Sequence, residues 1–156
     1  MTIPSIQFNF LNPIDLRDRT RLKQFLVSLF KKEKRRLGEL SYIFCSDNYL
    51  LKINREFLNH DYYTDIITFN LSERTQSINA EIYISVDRLR ENARDFGVSL
   101  NEELHRVIFH GALHLCGYKD KTIAQKKLMR KKEEQYLNGF TRSTKNGFIL
   151  KRNIKH

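Results

Sequence analysis

The stretch Ser99–Asp120, SLNEELHRVIFHGALHLCGYKD, decides how this chain folds. Ser99 with Glu102 three residues later is a capping-box pattern that starts a helix. From Val107 to Cys116 (VIFHGALHLC) the sequence is apolar on nearly every side, the mark of a buried rather than a surface helix. Gly117 suits the left-handed residue that ends such a helix.

The flanking sequence supplies partners for that helix. Residues 5–10 alternate apolar and polar as a half-buried strand does. From about Asp18 to Arg36, Leu22, Phe25, Leu26, Leu29 and Phe30 recur at helical spacing, with Arg19, Arg21, Lys23 and the run KKEKRR forming a basic back, and Gly38 is the expected break. Leu40–Cys45 is β-rich, and Asp47 is placed to cap a helix through Leu50, Leu51, Ile53, Phe57 and Leu58. Asp65–Leu71 and Ala80–Ser85 read as strands separated by the polar loop SERTQSIN, and Val86–Phe96 as a helix ending at Gly97. Thr122–Leu137 is a charged helix that packs through Leu128, Met129 and Leu137. The last residues, 141–156, hold five Lys or Arg and no acid, and form either a hairpin around Asn146-Gly147 or a basic tail. Strands mixed with helices over short connections imply an α+β fold. The expected organisation is one compact domain over residues 1–140, a small mixed β-sheet packed with helices, followed by a basic C-terminal tail over 141–156.

Composition agrees with one core: the chain has 156 residues, 40% of them hydrophobic, and no tandem repeat. A formal net charge of +10 presents a positive field to polyanions, and makes nucleic acid the leading partner class. Two cysteines, Cys45 and Cys116, give no disulfide framework, and no apolar run approaches a membrane span. The opening MTIPSIQFNF lacks the basic and apolar regions of a secretory signal, so a cytoplasmic location without membrane association is expected.

The chemistry concentrates on His110 and His114. Four residues apart, they lie about 40° from each other around a helix and reach one point, towards which the turn after Gly117 can bring Asp120. The plain alternative is two histidines in an ordinary core helix. Two unpaired imidazoles in so apolar a segment would each cost ~1–3 kcal/mol, and one shared cation satisfies both. The His-x3-His-x2-Gly-x2-Asp pattern therefore points to a metal held by His110, His114 and Asp120. Metzincin peptidases use a related spacing with a glutamate base, but Gly111 stands in that place, which removes the proton acceptor. Cys116 falls on the far side of the helix and reads as a buried hydrophobe. Two histidines with one carboxylate also recur in non-haem iron oxygenases, where the ligands are usually spread over the strands of a β-sandwich.

In HGALHLCGYKD (110–120) the chain resembles the YbeY endoribonucleases of bacteria, whose hallmark is His-Gly-x-Leu-His-Leu-x-Gly-Tyr-Asp-His. His110, Gly111, Leu113, His114, Leu115, Gly117 and Tyr118 fall in register. Upstream, NREFLNHDYYTDIITF resembles a second family segment, with Asn54, Asp61, Thr64, Asp65 and Phe69 matching. Three departures stand out. Asp120 replaces the usual third histidine. Leu58 occupies the place of the family's active-site arginine, for which Arg55, one turn earlier on the same helix face, is the candidate substitute. His60 stands where lysine is usual.

The resemblance implies a zinc-dependent single-strand endoribonuclease, with one Zn2+ per chain and no small-molecule cofactor. It acts in ribosomal RNA maturation and ribosome quality control, with ribosomal RNA and the small ribosomal subunit as partners. Arg55 and His60 are the expected catalytic residues. Phosphate-holding surfaces would be the first helix (Lys31, Lys32, Lys34, Arg35, Arg36), the last helix (Lys126, Lys127, Arg130, Lys131, Lys132) and the tail. The rival reading is a non-catalytic ribosome-associated RNA-binding protein with a structural zinc, and a zinc metallopeptidase stands behind it. Tyr118 and Lys119, which flank Asp120, either orient the site or anchor its turn.

Overall fold

The structure is a computed structural model that describes residues 3–72 and 77–154, with side chains described as far as residue 143. Its order is β1 (Ser5–Phe10), α1 (Arg19–Lys32), β2 (Leu37–Cys45), α2 (Asp47–Leu58), β3 (Ile66–Asn70), β4 (Ile78–Ser85), α3 (Val86–Phe96), α4 (Leu100–Leu115) and α5 (Ile123–Ile154). The four strands form one sheet in the order β1-β2-β4-β3, with β1, β2 and β4 parallel and β3 antiparallel on the edge. This is the expected α+β domain with a mixed sheet. Residues 73–76 of the polar loop lie outside the described residues.

Strand alternation sends Leu40, Tyr42 and Phe44 to one face of β2, and Ile43 and Cys45 to the other. Both sets are buried, as befits a central strand covered on two sides. The larger layer packs α1, α4 and α5 on the first face, and α2 covers the second through Leu50 and Ile53 against Cys45 and Ile67. Helix α4 is the middle of the core, with Leu104, Ile108, Phe109, Ala112 and Leu113 almost without solvent contact. The Tyr42 hydroxyl donates to the Ile108 carbonyl at 2.9 Å and pins α4 to β2. Gly111 lets the helix settle onto the sheet: a Cβ there would lie 2.9 Å from Ile82 Cδ1 and 3.0 Å from Ile66 Cδ1.

Some expected boundaries move for local reasons. Helix α1 stops at Lys32, four residues short of Arg36, and the chain reverses at Lys34 in a left-handed conformation (φ 60°), so Gly38 lies inside β2. Ser46, not Asp47, caps α2: its side chain accepts from the Tyr49 N–H, while Asp47 accepts from Ser85 and Arg88. Helix α5 continues to Ile154, so of the two alternatives for this stretch the hairpin at Asn146-Gly147 is replaced by helical backbone.

Candidate metal centre

The end of α4 is built by a Schellman motif. Gly117 adopts φ 104°, its N–H donates to the His114 carbonyl at 3.0 Å, and the Tyr118 N–H donates to the Leu113 carbonyl at 3.1 Å. This reversal brings Asp120 back over the helix, with its Oδ2 3.4 Å from His110 Nε2. The rings of His110 and His114 are nearly parallel (6°), with centroids 6.4 Å apart.

Each imidazole is oriented through its other nitrogen. His110 Nδ1 donates to Glu133 Oε2 on α5 at 2.6 Å, and His114 Nδ1 donates to the Tyr118 carbonyl at 3.0 Å. A carboxylate and a carbonyl only accept, so the hydrogen of each contact sits on Nδ1, and either ring in its neutral form presents its Nε2 lone pair to a ligand. Burial alone would lower the His110 pKa, but the hydrogen bond and charge of Glu133, with Asp120 and Asp65, outweigh it and hold the imidazole above its ordinary value. Among the described residues no three His, Cys, Asp or Glu side chains already close into a metal cage. The donor set nonetheless fits a divalent cation: two oriented imidazole nitrogens and a carboxylate, in a cleft also lined by the carboxyl groups of Glu133, Asp65 and Glu103.

Two polar networks hold this end of the fold, and periodicity did not reveal either. Arg106, buried on α4, lies among four carboxylates: Glu134 at 2.5 Å, Glu133 at 3.6 Å, Glu102 at 3.8 Å and Glu103 at 4.0 Å. Glu33, just past α1, accepts from the Tyr118 hydroxyl at 2.7 Å and from the hydroxyl of Tyr136, with Lys132 at 3.5 Å. Tyr118 therefore ties Glu33 to His114, its hydroxyl bound to one and its carbonyl to the other. Lys132, expected on the phosphate-holding surface of the last helix, is paired with Glu33 by this network. Cys116 belongs to the core, and burial pushes its thiol up to about 12, consistent with a hydrophobe and not a thiolate ligand.

The cleft holding these groups has a volume of about 500 Å³ and runs between α4, α5, the edge strand β3 and the end of α2. His60, Leu58 and Tyr62 line it, and the Tyr62 hydroxyl lies 2.9 Å from His60 Nδ1. Arg55 is not among the lining residues: its guanidinium is exposed and paired with Asp61. The structure thus brings His60, His110, His114 and Asp120 into one cleft and leaves Arg55 outside its lining.

The model of the family described as Endoribonuclease YbeY matches residues 12–141. The chain belongs to that family. The YbeY endoribonuclease of Cytophaga hutchinsonii is 53% identical over 123 residues, covering 79% of this chain and 86% of the relative. That of Flavobacterium psychrophilum is 48% identical over 135 residues, covering 86% and 96%. Among solved structures, TM1509 from Thermotoga maritima superposes with a TM-score of 0.62 at 26% identity, over 92% of this chain and 93% of that one. The match covers α1–α4, β2–β4 and every residue that lines the cleft.

Proposed function

We propose that this YbeY family member is a metal-dependent endoribonuclease, a hydrolase of RNA phosphodiester bonds, with one zinc ion held by His110, His114 and Asp120. The observation that supports the reading is the paired orientation of the two histidines: Glu133 and the Tyr118 carbonyl engage both Nδ1 atoms, both rings line one cleft with Asp120, and His110 Nε2 lies 3.4 Å from the Asp120 carboxylate. Bound there, a zinc ion would act as a Lewis acid on the phosphodiester. Substrate would be single-stranded ribosomal RNA, acted on during maturation and quality control of the small ribosomal subunit in the cytoplasm. Among the described residues no helix is long and apolar enough to cross a membrane.

The remaining roles follow from position. His60 contacts the substrate strand from the cleft wall. Arg55 acts one step back, because its pairing with Asp61 braces the loop in which the Asn54 side chain also donates to the Tyr62 carbonyl at 2.9 Å. Residues 141–156 serve as a basic extension that adds phosphate contacts. The test is metal content of freshly purified protein measured beside cleavage of single-stranded RNA, before and after chelation and again after zinc is restored. Stoichiometric metal with cleavage lost and regained supports the assignment, whereas metal without turnover favours the non-catalytic RNA-binding reading.

A further inference from the structure

The cleft must accept an anion, yet its lining is rich in acid: Asp65, Glu103, Asp120 and Glu133 all face it. Arginine is the only cation type with a permanent charge on its walls, and it occurs there twice, as Arg106 and Arg130. Arg106 is committed to four carboxylates and buried. Arg130 is different. It is exposed on α5, one turn before Glu133, and no described residue gives it an ion-pair or hydrogen-bond partner. A guanidinium without a carboxylate, on the wall of a cleft that the histidines also line, has its fork of donors available for a phosphate.

Resting on the RNA reading above, we infer that Arg130 is the substrate-binding residue that grips a phosphate of the RNA strand in this cleft. Leu58 lines the same cleft from α2 and contributes no charge, and Arg55 is neutralised by Asp61 outside it. Arg130 thus supplies from α5 the permanent positive charge that the α2 side lacks.

The experiment compares Arg130→Ala with Arg90→Ala, which removes the same charge from exposed α3 surface away from the cleft. Binding of a 2′-O-methylated single-stranded RNA is followed by fluorescence anisotropy across a salt series, beside cleavage kinetics and metal content. Arg130→Ala should weaken binding by about 10–100-fold, as expected for loss of a charge-assisted phosphate contact, with metal content unchanged. Its salt slope should fall by about 0.7, the value for one phosphate contact on a single strand. Arg130→Lys should fall between the two, and adding Leu58→Arg to Arg130→Ala should recover much of the loss. Equal effects of Arg130→Ala and Arg90→Ala, or loss of metal in Arg130→Ala, would overturn the assignment of Arg130 while leaving the endoribonuclease reading intact. Absence of RNA binding by the unaltered protein would overturn both.

Discussion

The two sides of α4 carry histidines under opposite conditions. His105 faces the layer of α1 and α5: its Nδ1 donates to the Asn101 carbonyl of its own helix at 2.7 Å, and its ring stacks on Phe140 at 5.0 Å. Among the described residues its buried Nε2 has no hydrogen-bond partner, and burial holds its pKa below the ordinary imidazole value. His110 and His114 face the cleft, and their Nδ1 partners, Glu133 and Tyr118, lie beyond the helix itself. An imidazole whose Nδ1 is held by its own helix and whose ring packs on an aromatic neighbour is packing material. One whose proton is fixed from outside, with the second nitrogen turned to a cleft, is prepared for a ligand.

The contrast can be broken most strongly from the core side. Phe109 is fully buried, and Phe109→Ala should lower stability by ~3–5 kcal/mol by chemical denaturation, while the protein that remains folded keeps its metal. Loss of metal at equal folded fraction would mean that the two sides are not separable. On the cleft side, Glu133→Gln should weaken metal affinity by about 10–100-fold, measured by competition with a chelating dye, because His110 loses its carboxylate acceptor. Unchanged affinity would show that the Glu133 contact does not prepare the ring.

How much of this could be read beforehand follows the same division. The buried helix, the cap at Ser99, the reversal at Gly117 and the convergence of Asp120 on His110 depend on neighbours within about a turn or two, and the pattern of 99–120 exposes them. Glu133 and Glu33 sit in charged stretches of sequence, and the partners that give them their roles are 23 and 85 residues away, beyond the reach of local pattern. Arg55 was placed by helical spacing from Leu58, which fixes a face but not the counter-charge of Asp61 that claims it. Asn146-Gly147 is a strong local turn signal overridden by continuation of α5.

A smaller effect tests the tie between α1 and the site. Burial pushes the Glu33 carboxyl up, but hydrogen bonds from Tyr136 and Tyr118 and the charge of Lys132 outweigh it and hold its pKa below the ordinary value. A carboxylate shifted this way stabilises the fold fully above its unfolded pKa of 4.5, and that contribution fades as pH falls through the lower folded value. Glu33→Gln should therefore cost ~1 kcal/mol near neutral pH, with the gap to the unaltered protein closing below about pH 4 in urea titrations. A gap that does not change with pH would assign the cost to packing alone.

The most direct test of the central claim places one variant on each side of α4. Zinc per chain is measured by elemental analysis in His114→Ala and in His105→Phe, each purified without chelator and checked for folding by circular dichroism. The account predicts a sharp fall in His114→Ala and retention of metal in His105→Phe. Full occupancy in folded His114→Ala would contradict it.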